Sequence, residues 1–156
     1  MATKIEKKLA EERFFAGFKA KDLSFLAGCA KTRRLRKDQV LFRYGAPADE
    51  FYLLLSGLIT LEVAAIEGPP LILQSLGRGA VLGWSWLIPP YKWSFQARAG
   101  EETEILAFDG KAILARCEAE PAFGYDVLKR FSTLMSERLN YARSRMMEEW
   151  NPPGFA

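Results

Sequence analysis

The sequence predicts a mainly β fold with flanking helices: a double-stranded β-helix, or jelly roll, with N-terminal helices and a long C-terminal helix. Two observations predict it. Between residues 32 and 108 the chain is a series of short extended apolar runs separated by Gly and Pro turns, at the close spacing typical of sandwiches and rolls. Helical spacing of apolar residues occurs only outside that stretch. No repeat, low-complexity tract or linker interrupts the pattern, so residues 1–156 are expected to form one domain: helices over 1–29, a β-roll over 30–108 and helices over 109–150.

Each element has its own signal. Residues 5–15 place Ile5, Leu9 and then Phe14 or Phe15 on one side of a helix, and Asp22 is a candidate cap for a second helix over 23–29. Strands follow over 31–36 and 40–43, the latter ending at the turn Tyr44-Gly45-Ala46-Pro47. Strands over 51–56 and 58–64 flank Gly57, and one over 71–76 runs into Gly77-Arg78-Gly79. Strands over 94–99 and 103–108 flank Gly100. Asp109 can cap a helix over 110–117. Pro121 suits the first turn of a longer helix to about residue 147, because a proline there gives up an N–H that has no partner anyway. Along it Leu128, Phe131, Met135, Leu139, Ala142 and Met146 recur at spacings of three and four, one apolar stripe.

Composition narrows the function. The chain has no histidine, which removes a Ser-His-Asp triad, a Cys-His dyad and a histidine-bound metal. No metal site and no enzyme activity are expected. Cys29 and Cys117 form no CxxC pair and read as small buried apolar residues, in keeping with a cytoplasmic protein. No apolar run is long enough to cross a membrane, and the N-terminus lacks the apolar core of a signal peptide. The run Arg33-Arg34-Leu35-Arg36-Lys37 is basic, but strand alternation puts Arg34 and Arg36 on a solvated face, and the net charge is only +3.

The most informative segment is 81–99. It reads as strand, tight turn at Gly83, one helical turn, loop, and strand. That layout can aim the N–H groups of Ser85, Trp86 and Leu87 at an anion. Around it stand Trp84, Trp86 and Trp93, the hydroxyls of Ser85 and Ser94, and the ammonium of Lys92. Arg98 shares the parity of Ser94 and Gln96 on the following strand. Two readings of the tryptophans stay open: a flat-ring platform for a planar ligand, or core packing.

The order of elements, with Val40-Leu41-Phe42-Arg43-Tyr44-Gly45-Ala46-Pro47, the stretch from Ala48 to Gly57, and Gly77-Arg78-Gly79-Ala80-Val81-Leu82-Gly83, resembles the cyclic-nucleotide-binding domain of catabolite-activator-type (CRP/FNR) regulators. The resemblance runs from about residue 18 to residue 143. It implies a ligand-sensing regulatory module, dimerisation through the C-terminal helix, and a phosphate-binding cassette here comprising Gly83, Trp84, Ser85, Trp86, Leu87, Lys92, Trp93 and Ser94. In the family's cyclic-nucleotide binders a Glu after the cassette glycine holds the ribose hydroxyl, and an Arg before a small residue pairs with the cyclic phosphate. Here those positions are Trp84 and Trp93, with Ser94 as the small residue. Indole donates a hydrogen bond but accepts none and carries no charge. Cyclic AMP or GMP held in the usual way is therefore not expected. The expected cofactor is none. The ligand, if one binds, would be a nucleotide or another small anionic or planar compound. The alternative implied by the same residues is a dimerisation or protein-interaction module with a pocket filled by tryptophan. Regulators of this family carry a helix-turn-helix domain after the long helix. The sequence ends at residue 156, so no DNA-binding domain is expected, and action would pass through a protein effector partner.

Overall fold

The computed structural model of the chain describes residues 2–150 and 153–154. Helix α1 is Lys4–Ala10, with Thr3 as its N-cap: the Thr3 hydroxyl accepts from the Glu6 N–H. A short 3-10 turn, Arg13–Phe15, leads to α2, Ala20–Gly28. The expectation that Asp22 caps this helix is wrong. The helix starts three residues earlier, with Lys19 in the cap position and no side-chain cap bond. Asp22 lies in the first turn, where an acid favours the helix dipole, and is buried because Arg116 reaches it at 3.0 Å.

Eight strands follow: β1 Ala30–Leu35, β2 Val40–Phe42, β3 Glu50–Ser56, β4 Ile59–Val63, β5 Leu71–Leu76, β6 Val81–Leu82, β7 Gln96–Ala99 and β8 Thr103–Asp109. They form two four-stranded antiparallel sheets, β1-β8-β3-β6 and β2-β7-β4-β5, the jelly roll expected from the sequence. Gly57 makes the β3–β4 corner at φ +97°. A Cβ there would lie 2.4 Å from the Thr103 Oγ1 and 2.6 Å from the Glu102 carbonyl, so only glycine fits. Helix α3, Gly110–Ala119, is capped by Asp109, whose carboxylate accepts from the Ala112 N–H at 3.2 Å. Helix α4 is Pro121–Trp150, three residues longer than expected.

Strand alternation produces two cores. Between the sheets lie Phe42, Tyr52, Leu54, Ile59, Leu61, Leu82, Ala97 and Ile105. On the other face of the first sheet, Phe51, Leu53, Val81, Leu106 and Phe108 pack against the helices through Phe15, Ile113, Phe123, Val127 and Phe131. The predicted stripe of α4 does not act as one face. Phe131 is fully buried and Met135 half-buried, whereas Leu128, Leu139 and Met146 are exposed. The packed face is Phe123, Val127, Phe131 and Leu134, because only the first half of α4 lies on the sheet.

Candidate functional site

The cassette begins where β6 ends. Gly83 has φ +98°, a conformation that costs a side chain strain. The space a Cβ would occupy there is taken: it would lie 2.8 Å from Cη2 of Trp93. After Gly83 the chain makes a single turn, closed by the Leu87 N–H donating to the Trp84 carbonyl at 3.0 Å. One of the three N–H groups expected to face an anion is therefore spent inside the turn. Those of Ser85 and Trp86 make no hydrogen bond among the described residues.

The three indoles sit in three different surroundings. Trp93 enters the space between the sheets, where it is 4% exposed. Its ring stacks on Phe42 at 3.8 Å between centroids and 12° between planes, with Tyr52 on a further stack at 6.3 Å. Trp86 points the opposite way, into the helix-side core, where it is 2% exposed. It stacks on Phe51 at 5.2 Å and meets Phe131 edge-on at 5.4 Å, while its Nε1 donates to the Gly83 carbonyl at 2.9 Å. Trp84 is half-buried and meets Phe95 edge-on at 6.3 Å. They do not combine into one flat platform. Ser85 is buried in the turn, and Leu87 is half-buried on the helix-side core.

The polar candidates stand apart from one another. Lys92 is exposed and belongs to an isolated bridge with Pro47, and Ser94 is exposed in the bend before β7. Arg98 is committed elsewhere: its Nε donates to Glu62 at 2.9 Å and its Nη1 to the Asp38 carbonyl at 3.0 Å. Glu62 is 2% exposed and also accepts from Gln96 Nε2 and the Thr60 hydroxyl. This buried network lies on the face of β4 and β7 opposite Leu61 and Ala97. Sequence reading missed Glu62; the signal was an acid in a strand, Ile59–Val63, whose other residues are apolar apart from Thr60. The basic run of β1 is partly neutralised, with Arg33 forked on Glu50 and Arg34 on Glu104 at 3.2 Å.

Burial also governs the thiols. Cys29 and Cys117 are free and half-buried, and desolvation raises both pKa values, that of Cys117 to about 11. At neutral pH they are thiols rather than thiolates, and so poor nucleophiles and poor ligands. Among the described residues no cluster of Cys, Asp and Glu could hold a metal ion, and no helix is long and apolar enough to cross a membrane.

Comparison with known proteins agrees with this architecture. The family model for the cyclic nucleotide-binding domain matches residues 32–120. The acetyltransferase Pat of Mycolicibacterium smegmatis is 35% identical over 75 residues, which are 48% of this chain and 22% of Pat, so the likeness spans about a fifth of that protein. Among solved structures, a protein of Geobacter metallireducens GS-15 assigned as cyclic nucleotide-binding superposes with a TM-score of 0.79 at 25% identity, over 88% of this chain and 99% of that one. The catabolite activator protein of Thermus thermophilus superposes with a TM-score of 0.67 at 25% identity, over 85% of this chain and 61% of that one.

Proposed function

Because the chain belongs to the cyclic nucleotide-binding domain family, we propose that it is a regulatory module in which the usual nucleotide pocket has been closed from within, so that cyclic AMP and cyclic GMP are not held in the usual way. The observation that carries this reading is Trp93. Where the family places a phosphate-pairing Arg, this residue lies flat on Phe42 and against Gly83. A nucleotide entering there would have to expel a buried indole. Removing such a ring from a core costs about 3–5 kcal/mol. The carboxylate and the guanidinium that indoles replace would each have supplied a charge-assisted hydrogen bond of about 1.5–3 kcal/mol. Together these losses, about 6–11 kcal/mol, match or exceed much of the 8.2 kcal/mol that a micromolar complex represents.

The module would signal through the connection between cassette and long helix, in which Trp86 touches both Gly83 and Phe131. It would assemble as a two-fold dimer through the exposed half of α4 and act on a protein partner. Isothermal titration of the full chain with cyclic AMP and cyclic GMP tests the pocket assignment. No saturable heat is expected up to hundreds of micromolar ligand. Saturable binding at micromolar concentration would overturn the reading.

A further inference from the structure

A cavity lies beside the strand that leads into the cassette but shares none of the cassette residues. It has a volume of about 380 Å³ and opens between the 3-10 turn, the β5–β6 connection and α4. Its apolar walls are Phe14, Leu76, Val81 and Leu134. Three arginines line it, and their partners differ. Arg13 pairs with Glu137 at 2.8 Å and Arg130 with Asp126 at 2.8 Å, so each of those charges is balanced. Arg138 has no such partner. Its Nη2 donates to the Val81 carbonyl, and its Nη1 is buried with no hydrogen-bond partner among the described residues.

An arginine keeps its charge in any protein setting near neutral pH, and a buried charge without a counterion is costly. Desolvation here lowers the Arg138 pKa to about 10, with Glu137 opposing, which still leaves it protonated at pH 7. The Glu12 carboxylate stands at the rim beside Gly79. The cleft thus offers a guanidinium that no carboxylate pairs directly, one of its nitrogens unpartnered, behind apolar walls, with Glu137 on the same wall bound to Arg13. That combination matches a single negative charge on an apolar body and suits a phosphate dianion poorly.

We propose that this cleft binds an organic monocarboxylate, the carboxylate on the Arg138 guanidinium and the apolar part against Phe14, Leu76, Val81 and Leu134. Nη1 is buried, so the guanidinium would turn slightly about its flexible stem to meet the carboxylate. The site does not depend on whether the cassette is closed. It would also give a ligand purchase on β6, which leads directly into Gly83, and on α4 together.

The probe is 4-phenylbutyrate, titrated calorimetrically into the full chain, with 4-phenylbutan-1-ol as the neutral match and inorganic phosphate as the bare anion. Phenylbutyrate is expected to bind saturably and to raise the melting temperature. Arg138→Met should weaken it about ten- to a hundredfold, the loss of one charge-assisted hydrogen bond. Thr133→Phe, on the exposed face of the cleft wall, should block entry without touching the charge, and serves if the Arg138 variant does not fold. Equal binding of the alcohol, undiminished phenylbutyrate binding in both variants, or stronger binding of inorganic phosphate would overturn the proposal.

Discussion

At the scale of single residues, the contact between Gly83 and Trp93 decides what the cassette can be. The glycine is required twice: by its positive φ and by the ring that fills the space beside it. These two demands can be separated. Gly83→Ala is expected to cost about 2–4 kcal/mol, part backbone strain and part overpacking against the indole. Trp93→Ala is expected to cost about 3–5 kcal/mol as a buried ring is lost. In the Trp93→Ala background the second substitution should cost about 1–2 kcal/mol less than alone, because only the strain remains. Urea denaturation of the four proteins measures this coupling, and additive costs would show that the ring and the glycine are independent. The sequence identifies both residues as special, since a Trp stands where a phosphate partner belongs. It does not say on which side of the sheet each indole falls. Trp86 and Trp93 sit in a turn and a loop, where neither the period of two nor that of 3.6 fixes direction. The buried Glu62 was hidden for a related reason: its partners Gln96 and Arg98 come from a strand more than thirty residues away.

At the scale of elements, the strands were readable because each has a glycine or proline turn near one end, and their ends shift by at most one residue. The exception is β7, which starts at Gln96 rather than Ser94 because Ser94 and Phe95 are still bending out of the cassette. The long helix was readable in extent but not in facing. Phe131 belongs to two ladders of spacing three and four, one through Val127 and Leu134 and one through Leu128 and Met135, and periodicity alone does not choose between them. Packing chooses the first: Phe131 meets Phe14, Phe51 and Trp86 edge-on, with centroids 4.9, 5.1 and 5.4 Å away. It therefore joins α4 to the N-terminal turn, the first sheet and the cassette at one point. Phe131→Ala is expected to cost about 3–5 kcal/mol in chemical denaturation, whereas Leu128→Ala, on a half-exposed ladder, should cost under about 1.5 kcal/mol. Equal costs would mean that the two ladders share the load and that α4 is not clamped through its buried face.

At the scale of the molecule, the distal half of α4 is the surface that asks for a partner. Beyond Met135, which still packs on the helix-side core, its described side-chain hydrogen bonds to the roll are those of arginines: Arg138 to the Val81 carbonyl, and Arg145 to the carbonyls of Ile72 and Leu73 at 3.1 and 2.7 Å. Leu139, Met146 and Trp150 are 70, 55 and 71% exposed on that half, and the adjoining edge strand β5 exposes Leu71, Ile72 and Leu73. Arg145 ties this strand to the helix that carries the other exposed apolar side chains. Large exposed apolar patches are uncommon on monomers, and an exposed strand edge invites pairing. A two-fold axis along α4 would bury the helix of one copy against that of the other and cover both patches at once. Sedimentation equilibrium of the full chain should therefore find a dimer at micromolar concentration. Leu139→Lys, which brings like charges face to face across such an axis, should weaken it at least tenfold while leaving the far-ultraviolet circular dichroism unchanged. A chain that stays monomeric at a hundred micromolar would dismiss the two-fold arrangement and leave this surface to a different protein.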